Sequence, residues 1–188
     1  KDVAVIGNAA SASQFIPEIV ARVRKLFVFQ RSANWLFPKG DRPFSEQERA
    51  RFTRWPWLAR LYRWWIWLAF EIRWPVFRGN AFLSGQSRKL ASQHVLEKVR
   101  DPELQRALMP EYPIGGKRIL ISDDYYPALQ RENVEVVLDP IERVTRDAVL
   151  TRDGRARRAD VLILATGFES TSFLAPMKIE GTGGRTLD

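Results

Sequence analysis

Apolar residues run without a break from Val3 to Ile6 and stop at Gly7, a strand followed by a small-residue turn. Beyond the turn, Phe15, Ile19, Val20 and Val23 recur at helical spacing and predict a helix over roughly Ser11 to Arg24. Leu26-Phe27-Val28-Phe29 is a second β-rich run. Strand, turn, helix and strand within about 30 residues make a βαβ unit of the kind that binds dinucleotides.

The pattern then changes character. Ser32 to Pro38 is an irregular aromatic segment, Gly40 to Pro43 a turn, and Ser45-Glu46-Gln47-Glu48 a helix start of capping-box form. Trp57 to Trp74 predicts a helix on which Arg60, Arg63, Trp67, Glu71 and Trp74 share one narrow stripe and nearly everything else is apolar, with Pro75 ending it. Ser87 to Val99 predicts a further helix, and Asp101-Pro102-Glu103 opens a short one that ends before Pro110.

From Tyr112 the α/β alternation resumes. A turn from Tyr112 to Arg118 feeds a strand, Ile119 to Ser122. Asp123 and Asp124 follow, placed either to cap a short helix over Tyr125 to Gln130 or to serve acid–base chemistry, capping being favoured. Val134 to Leu138 is the next strand. Residues 141–158 alternate like short antiparallel strands, with Asp153-Gly154 as a hairpin turn. Asp160 to Ala165 predicts a buried parallel strand that ends in Thr166-Gly167, at the carboxyl end where open sheets bind ligands.

The opening turn supports two readings, a dinucleotide site and a structural βα turn. Gly7 and Ala12 match the first and third positions of a G-x-G-x-x-G/A fingerprint, but Ala9 stands where glycine lets backbone approach a pyrophosphate. The free N–H groups and dipole of a helix start suit that anion. At the end of the second strand, where an acidic residue would accept from a ribose 2′-hydroxyl, the chain has Gln30-Arg31-Ser32. An arginine there is either solvated or a partner for a 2′-phosphate, and together with the turn it favours NADP over NAD.

Composition removes several chemistries. Without cysteine there is no disulfide, thiolate metal site, cysteine nucleophile or redox-active pair, and a single histidine, His94, excludes a histidine metal cluster and disfavours a Ser-His-Asp triad. His94 reads as structural. The net charge is +8, and residues 41–110 hold 13 Lys/Arg against 7 Asp/Glu, a surplus of six that leaves two for the remainder. A basic, tryptophan-rich insert fits nucleic acid, an anionic membrane or the wet face of a helical subdomain, the last being the commonest case. The longest apolar run in it, Trp64 to Phe70, is seven residues, far short of the roughly 20 that span a bilayer. The helix is therefore expected to pack on another domain or to lie in a membrane interface, packing being favoured. Four apolar residues at the start do not form the hydrophobic stretch of a secretory signal. With strand 1 beginning at Lys1 and no closing element over Glu180 to Asp188, the chain reads as part of a longer protein.

These pieces in this order resemble the class B flavoprotein monooxygenases of the Baeyer–Villiger type. The resemblance rests on Val3 to Gly7 with Ala10-Ser11-Ala12, on Phe29-Gln30-Arg31-Ser32, on Tyr112 through Leu129, on Ala165 to Phe168 and on Phe173 to Met177. It implies an α/β fold, a Rossmann-like NADP-binding domain of the two-dinucleotide-binding flavoprotein type with a helical insertion and a small β-meander. Residues 1–40 and 111–167 are expected to form that domain, 41–110 the Trp-rich insertion, and 168–188 the start of a return to an FAD domain outside the chain. The resemblance implies NADPH bound at Gly7, Asn8, Ala9, Ala10, Ser11, Ala12 and Gln14 and at Ala165, Thr166 and Gly167. Arg31 and Lys117 would hold its 2′-phosphate, with Ser32 among the cofactor-binding residues and FAD held mainly outside the chain. Arg118 matches the catalytic arginine, whose permanent charge stabilises the oxygenated flavin. The implied reaction inserts one oxygen atom of O2 into a ketone or aldehyde, or into sulfur or nitrogen in an oxygenating relative. No metal and no nucleic acid are expected. A cytoplasmic location is expected, with peripheral membrane contact through Trp57 to Trp74 the one open partner. A membrane- or partner-docking module with a vestigial nucleotide fold is the competing reading.

Overall fold

The structure is a computed structural model that describes residues 1–168 and 177–186. At its centre is a parallel four-stranded sheet. β1 (Asp2–Ile6) lies between β2 (Lys25–Phe29) and a strand from near the end of the chain, Val161–Leu164, while β2 also pairs with Val134–Val137. In order of appearance the four run third, second, first, fourth, which is the order of half a doubly wound dinucleotide sheet.

The unbroken apolar runs of β1 and β2 follow from burial on both faces. Val3, Val5, Leu26 and Val28 point to a core built with helices, whereas Ala4, Phe27 and Phe29 join Val137 and Val149 on the opposite side. The first side is covered by α1 (Ala10–Ile19), which buries Ala12 and Ile16 and runs on into a single 3-10 turn, Val20–Arg22, so the expected helix to Arg24 stops early.

A two-stranded parallel ribbon stands apart from the main sheet: β3 (Leu36–Phe37) pairs with β4 (Leu120–Ile121), Leu36 opposite Leu120. The segment expected to be irregular therefore contains a strand, and the strand expected over Ile119 to Ser122 is shorter and outside the main sheet. Between β3 and β4 lie five helices: α2 (Glu46–Arg54), α3 (Pro56–Glu71), α4 (Trp74–Phe77), α5 (Ala81–Lys98) and α6 (Pro102–Ala107). The capping box of α2 forms as its sequence predicts: Ser45 Oγ accepts from the Glu48 N–H and Glu48 accepts from the Ser45 N–H. Pro75 does not end the long helix. α3 stops at Glu71, and Pro75 opens α4 from its first turn, where a missing N–H costs nothing. Asn80 caps α5 by accepting from the Leu83 N–H, which starts that helix earlier than its apolar spacing suggests.

After β4, α7 (Tyr125–Leu129) buries Tyr125, Tyr126, Ala128 and Leu129 against the helical side of the sheet, and β5 (Val134–Val137) forms the sheet edge. β6 (Ile141–Val144), β7 (Ala148–Thr151) and β8 (Ala156–Arg158) make the antiparallel meander, with Gly154 at φ +82° in the hairpin turn. Arg157, almost fully buried, donates to Glu135 on β5 at 2.8 Å and to Thr151 Oγ1 at 2.7 Å, which fixes the meander to the sheet. The last strand, β9 (Val161–Leu164), corrects one expectation. Its inward residues Val161 and Ile163 pack on the core, but Leu162 and Leu164 are 39% and 67% exposed, because among the described residues no layer covers that face of β9. Phe173 to Pro176, part of the resemblance, lie outside the described residues.

Candidate dinucleotide site

The strand order reverses between β1 and β9, the point at which the carboxyl ends of an open sheet offer a crevice to ligands. Gly7 sits there at φ +107°, and a Cβ on it would lie 2.4 Å from the Ala165 carbonyl oxygen. Only glycine permits that conformation with the turn after β9 so close. The Ala165 N–H donates to the Ile6 carbonyl at 2.8 Å, so Ala165, Thr166 and Gly167 are held directly beside the β1 turn.

Across the crevice, α1 begins without a cap. Ala9 has no side chain to accept from the first turn, and that turn carries no acidic residue. Its leading N–H groups are left for water or an anion. Ala12 is fully buried against the sheet, while Ala9, Ser11 and Gln14 are exposed on the open side.

The end of β2 carries the positive charge. Lys117, 85 residues away in sequence, donates from Nζ to Ser32 Oγ at 2.6 Å and lies 4.6 Å from the Tyr112 ring centroid. The pairing of β3 with β4 brings this about, since it sets the flank before β3 alongside the flank before β4. Arg31 and Arg118 are exposed, and neither enters an ion pair among the described residues.

Under the turn lies a polar network that sequence spacing did not reveal. Asn8 Nδ2 donates to Gln30 Oε1 at 3.0 Å and to the Ser32 carbonyl at 2.9 Å. Asn34 Nδ2 donates to the Asn8 carbonyl and to Asn8 Oδ1, both at 3.1 Å. Tyr112 hydroxyl reaches Asn34 Oδ1 at 3.4 Å, and the indole N–H of buried Trp35 donates to the Tyr112 carbonyl at 2.9 Å. Gln30, also buried, donates to the Ala107 carbonyl at the end of α6. Burial raises the pKa of Tyr112, against a smaller lowering by the Trp35 contact, and burial raises Tyr125 and Tyr126 further, so all three phenols keep their protons at neutral pH.

Other candidates resolve into structural roles. Asp123 accepts from the Lys39 and Gly40 N–H groups at 2.8 and 2.9 Å, pinning the chain after β3. Asp124 gives α7 no side-chain cap. Ser122 Oγ accepts from the Asp124 and Tyr125 N–H groups instead, so the capping assigned to the two aspartates belongs to the serine before them. His94 is buried, with Nε2 3.3 Å from the Ser122 carbonyl and its ring 5.4 Å from that of Tyr126. Among the described residues no group of three His, Asp or Glu side chains is arranged to hold a metal ion.

A parallel α/β protein with its crevice at the strand carboxyl ends is the class that fold and site define. No protein-family profile matches the chain. It is 40% identical over 187 residues to a Baeyer–Villiger monooxygenase of Pseudomonas aeruginosa, covering 100% of this chain and 36% of that protein. A steroid monooxygenase bound to NADP superposes with a TM-score of 0.77 at 30% identity, over 99% of this chain and 42% of the other. The OTEMO complex with FAD and NADP gives 0.76 at 26% identity, over 100% and 42%. The chain is a homologue of the Baeyer–Villiger and FAD-binding monooxygenases, and it spans about a third of the length of the curated relatives it matches.

Proposed function

We propose that this chain is the NADPH-binding region of an FAD-dependent monooxygenase that inserts one oxygen atom of O2 into a ketone or aldehyde. Residues 1–40 and 111–167 form the nucleotide domain, 41–110 its helical insertion, and 168–188 lead back towards an FAD domain. The observation that carries this is Lys117 Nζ at 2.6 Å from Ser32 Oγ, beside Arg31 at the mouth of the crevice. Two cations and a hydroxyl at a strand end that lacks a carboxylate suit a 2′-phosphate and reject nothing about it.

The residues fit the nucleotide. Gly7 lets backbone come close, Asn8 to Ser11 line an uncapped helix start suited to a pyrophosphate, Ala12 lets α1 pack tightly on the sheet, and Gln14 is exposed on the open side one turn on. Ala165, Thr166 and Gly167 close the far wall. When bound, NADPH supplies the hydride that reduces FAD, which then supplies O2 activation. Arg118 contributes a fixed positive charge where negative charge develops on that partner, an electrostatic role needing no proton transfer.

Nucleotide binding to the full-length protein tests the assignment. It should prefer NADPH to NADH, and Lys117→Ala and Arg31→Ala should each lose about ten- to a hundredfold in NADPH affinity, the worth of one charge-assisted contact. Equal affinity of the unmutated protein for both nucleotides overturns the proposal. Arg118→Ala should abolish oxygenation, of carbonyl and heteroatom substrates alike, while NADPH still binds.

A second reading concerns α3, because six of the seven tryptophans, Trp55, Trp57, Trp64, Trp65, Trp67 and Trp74, are 45–65% exposed. Trp57, Leu61, Trp64, Leu68 and Ile72 follow helical spacing along one exposed face, flanked by Arg60 and Arg63. No helix of the described residues is long and apolar enough to cross a membrane. This face suits peripheral contact with an anionic bilayer, whose interface accepts tryptophan and arginine together. Flotation on phosphatidylglycerol vesicles, reduced by Trp64→Ser with Trp67→Ser, is the expected result. Failure of the unmutated protein to float removes this contact and leaves the nucleotide assignment standing.

A further inference from the structure

We infer that Asn34 is a positioning residue: through Asn8 it aims the Ala9 N–H at the dinucleotide phosphate. The inference rests on the nucleotide assignment above. Asn34 Nδ2 holds both the main-chain carbonyl and the side-chain oxygen of Asn8, at 3.1 Å each. Asn8 spends its own two amide donors on Gln30 Oε1 and the Ser32 carbonyl. Every side-chain polar group of Asn8 is thus engaged from beneath, and so is its carbonyl. In a planar trans peptide, C=O and the following N–H point in opposite directions. A carbonyl of Asn8 pulled inward by Asn34 therefore turns the Ala9 N–H outward, to the exposed side of the turn. The device bears on the position where the fingerprint glycine is replaced. Glycine leaves this peptide free to rotate, and here alanine narrows the backbone while the Asn34–Asn8 pair fixes its direction.

A second observation ties the device to its surroundings. Asn8, Gln30 and Asn34 line a small cavity with Tyr125, whose hydroxyl is buried and has no hydrogen-bond partner among the described residues. The turn thus rests on Gln30, just after β2, and on Ser32 and Asn34 before β3, and Asn34 is the member that grips the carbonyl. Asn34 also accepts from the Tyr112 hydroxyl, a long contact at 3.4 Å, whereas Lys117 is held separately by Ser32 Oγ at 2.6 Å.

Binding of NADPH, NADH and 2′-AMP to the full-length protein tests this, because 2′-AMP presents only the phosphate that Arg31, Ser32 and Lys117 would hold. Asn34→Ala should weaken NADPH and NADH by the same factor, about tenfold for one misdirected hydrogen bond to a charged group, leaving their ratio unchanged. Its affinity for 2′-AMP should stay within about twofold, as for a site that does not share the contact. Should Asn34→Ala not fold, Asn34→Leu is near in volume and removes both donors without adding a charge, and the same pattern is expected. Unchanged NADPH affinity in a folded variant overturns the proposal, and so does a parallel loss of 2′-AMP, which indicates collapse of the pocket. Failure of the unmutated protein to bind either NADPH or 2′-AMP instead overturns the nucleotide assignment itself.

Discussion

Tryptophan has opposite fates in the two regions of this molecule. Beside the sheet, Trp35 is 1% exposed, with its indole N–H bonded to Tyr112 and its ring edge-on to the same residue. In the α2–α3 hairpin neither helix buries a single residue, and the aromatic contacts are among its own side chains, Phe44 with Phe52 and Tyr62, Tyr62 with Trp65, and Trp64 with Trp67. The sheet region buries most of its apolar groups, β9 excepted, and pairs most of its buried polar ones, the Tyr125 hydroxyl excepted. The hairpin holds its shape by caps and local stacking and presents its apolar surface outward. Large aromatic content is thus no guide to core membership; what separates the two is whether a second layer lies opposite.

The sharpest way to break this comparison is to truncate tryptophan in both places. Trp35→Ala should destabilise the protein by about 3–5 kcal/mol in denaturant titration, as a buried large-to-small change does. Trp65→Ala should change stability by less than about 0.5 kcal/mol, as at an exposed site. A comparable loss at both positions would show that α3 is covered in the full-length protein. Glycine offers a second contrast within the sheet region. Gly7→Ala places a methyl against the Ala165 carbonyl at positive φ and should cost more than about 2 kcal/mol together with NADPH binding. Gly154→Ala, also at positive φ but with open space around it, should cost only about 1 kcal/mol. Thermal unfolding of the two variants side by side is the check.

The smallest effect concerns the hairpin's own start. The Arg42 guanidinium, then the Ser45 N–H, bring the Glu48 carboxyl down to about 2. A depressed carboxylate contributes stability above its unfolded value, near 4.5, and loses it as pH falls towards 2. Being on the surface the contribution is small, so it should appear as fraying of α2 in amide exchange rather than as global unfolding. Glu48→Gln should fray α2 at neutral pH and remove that pH dependence.

Much of the sheet was legible in the sequence, because β1, α1 and β2 state their periods within 30 residues and both faces of the strands are apolar. The start of α2 was legible too, since Ser45 and Glu48 satisfy each other locally. What could not be read depends on distant partners. The two-residue strands β3 and β4 are too short for any period, yet they bring Lys117 to Ser32. Asn34 looks like an ordinary polar loop residue until Asn8 and Tyr112, 26 and 78 residues away, are placed around it. β9 carries the signature of a buried strand, but an apolar run does not say whether a layer covers its second face. Of the proposed site residues, Gly7 and Ala12 follow from steric need, while Arg31 and Arg118 remain assignments of chemistry to exposed cations.

The Lys117–Ser32 contact has a consequence for how the molecule assembles. It closes a loop of 85 residues that contains all five helices from α2 to α6, and closing so long a loop must follow the formation of local structure on either side. The pairing of β3 with β4 closes nearly the same loop, so the cationic end of the crevice is completed only when that ribbon has formed. Whatever loosens the intervening helices, whether heat, proteolysis or a change of partner, therefore acts on the β3–β4 ribbon and the cationic end together.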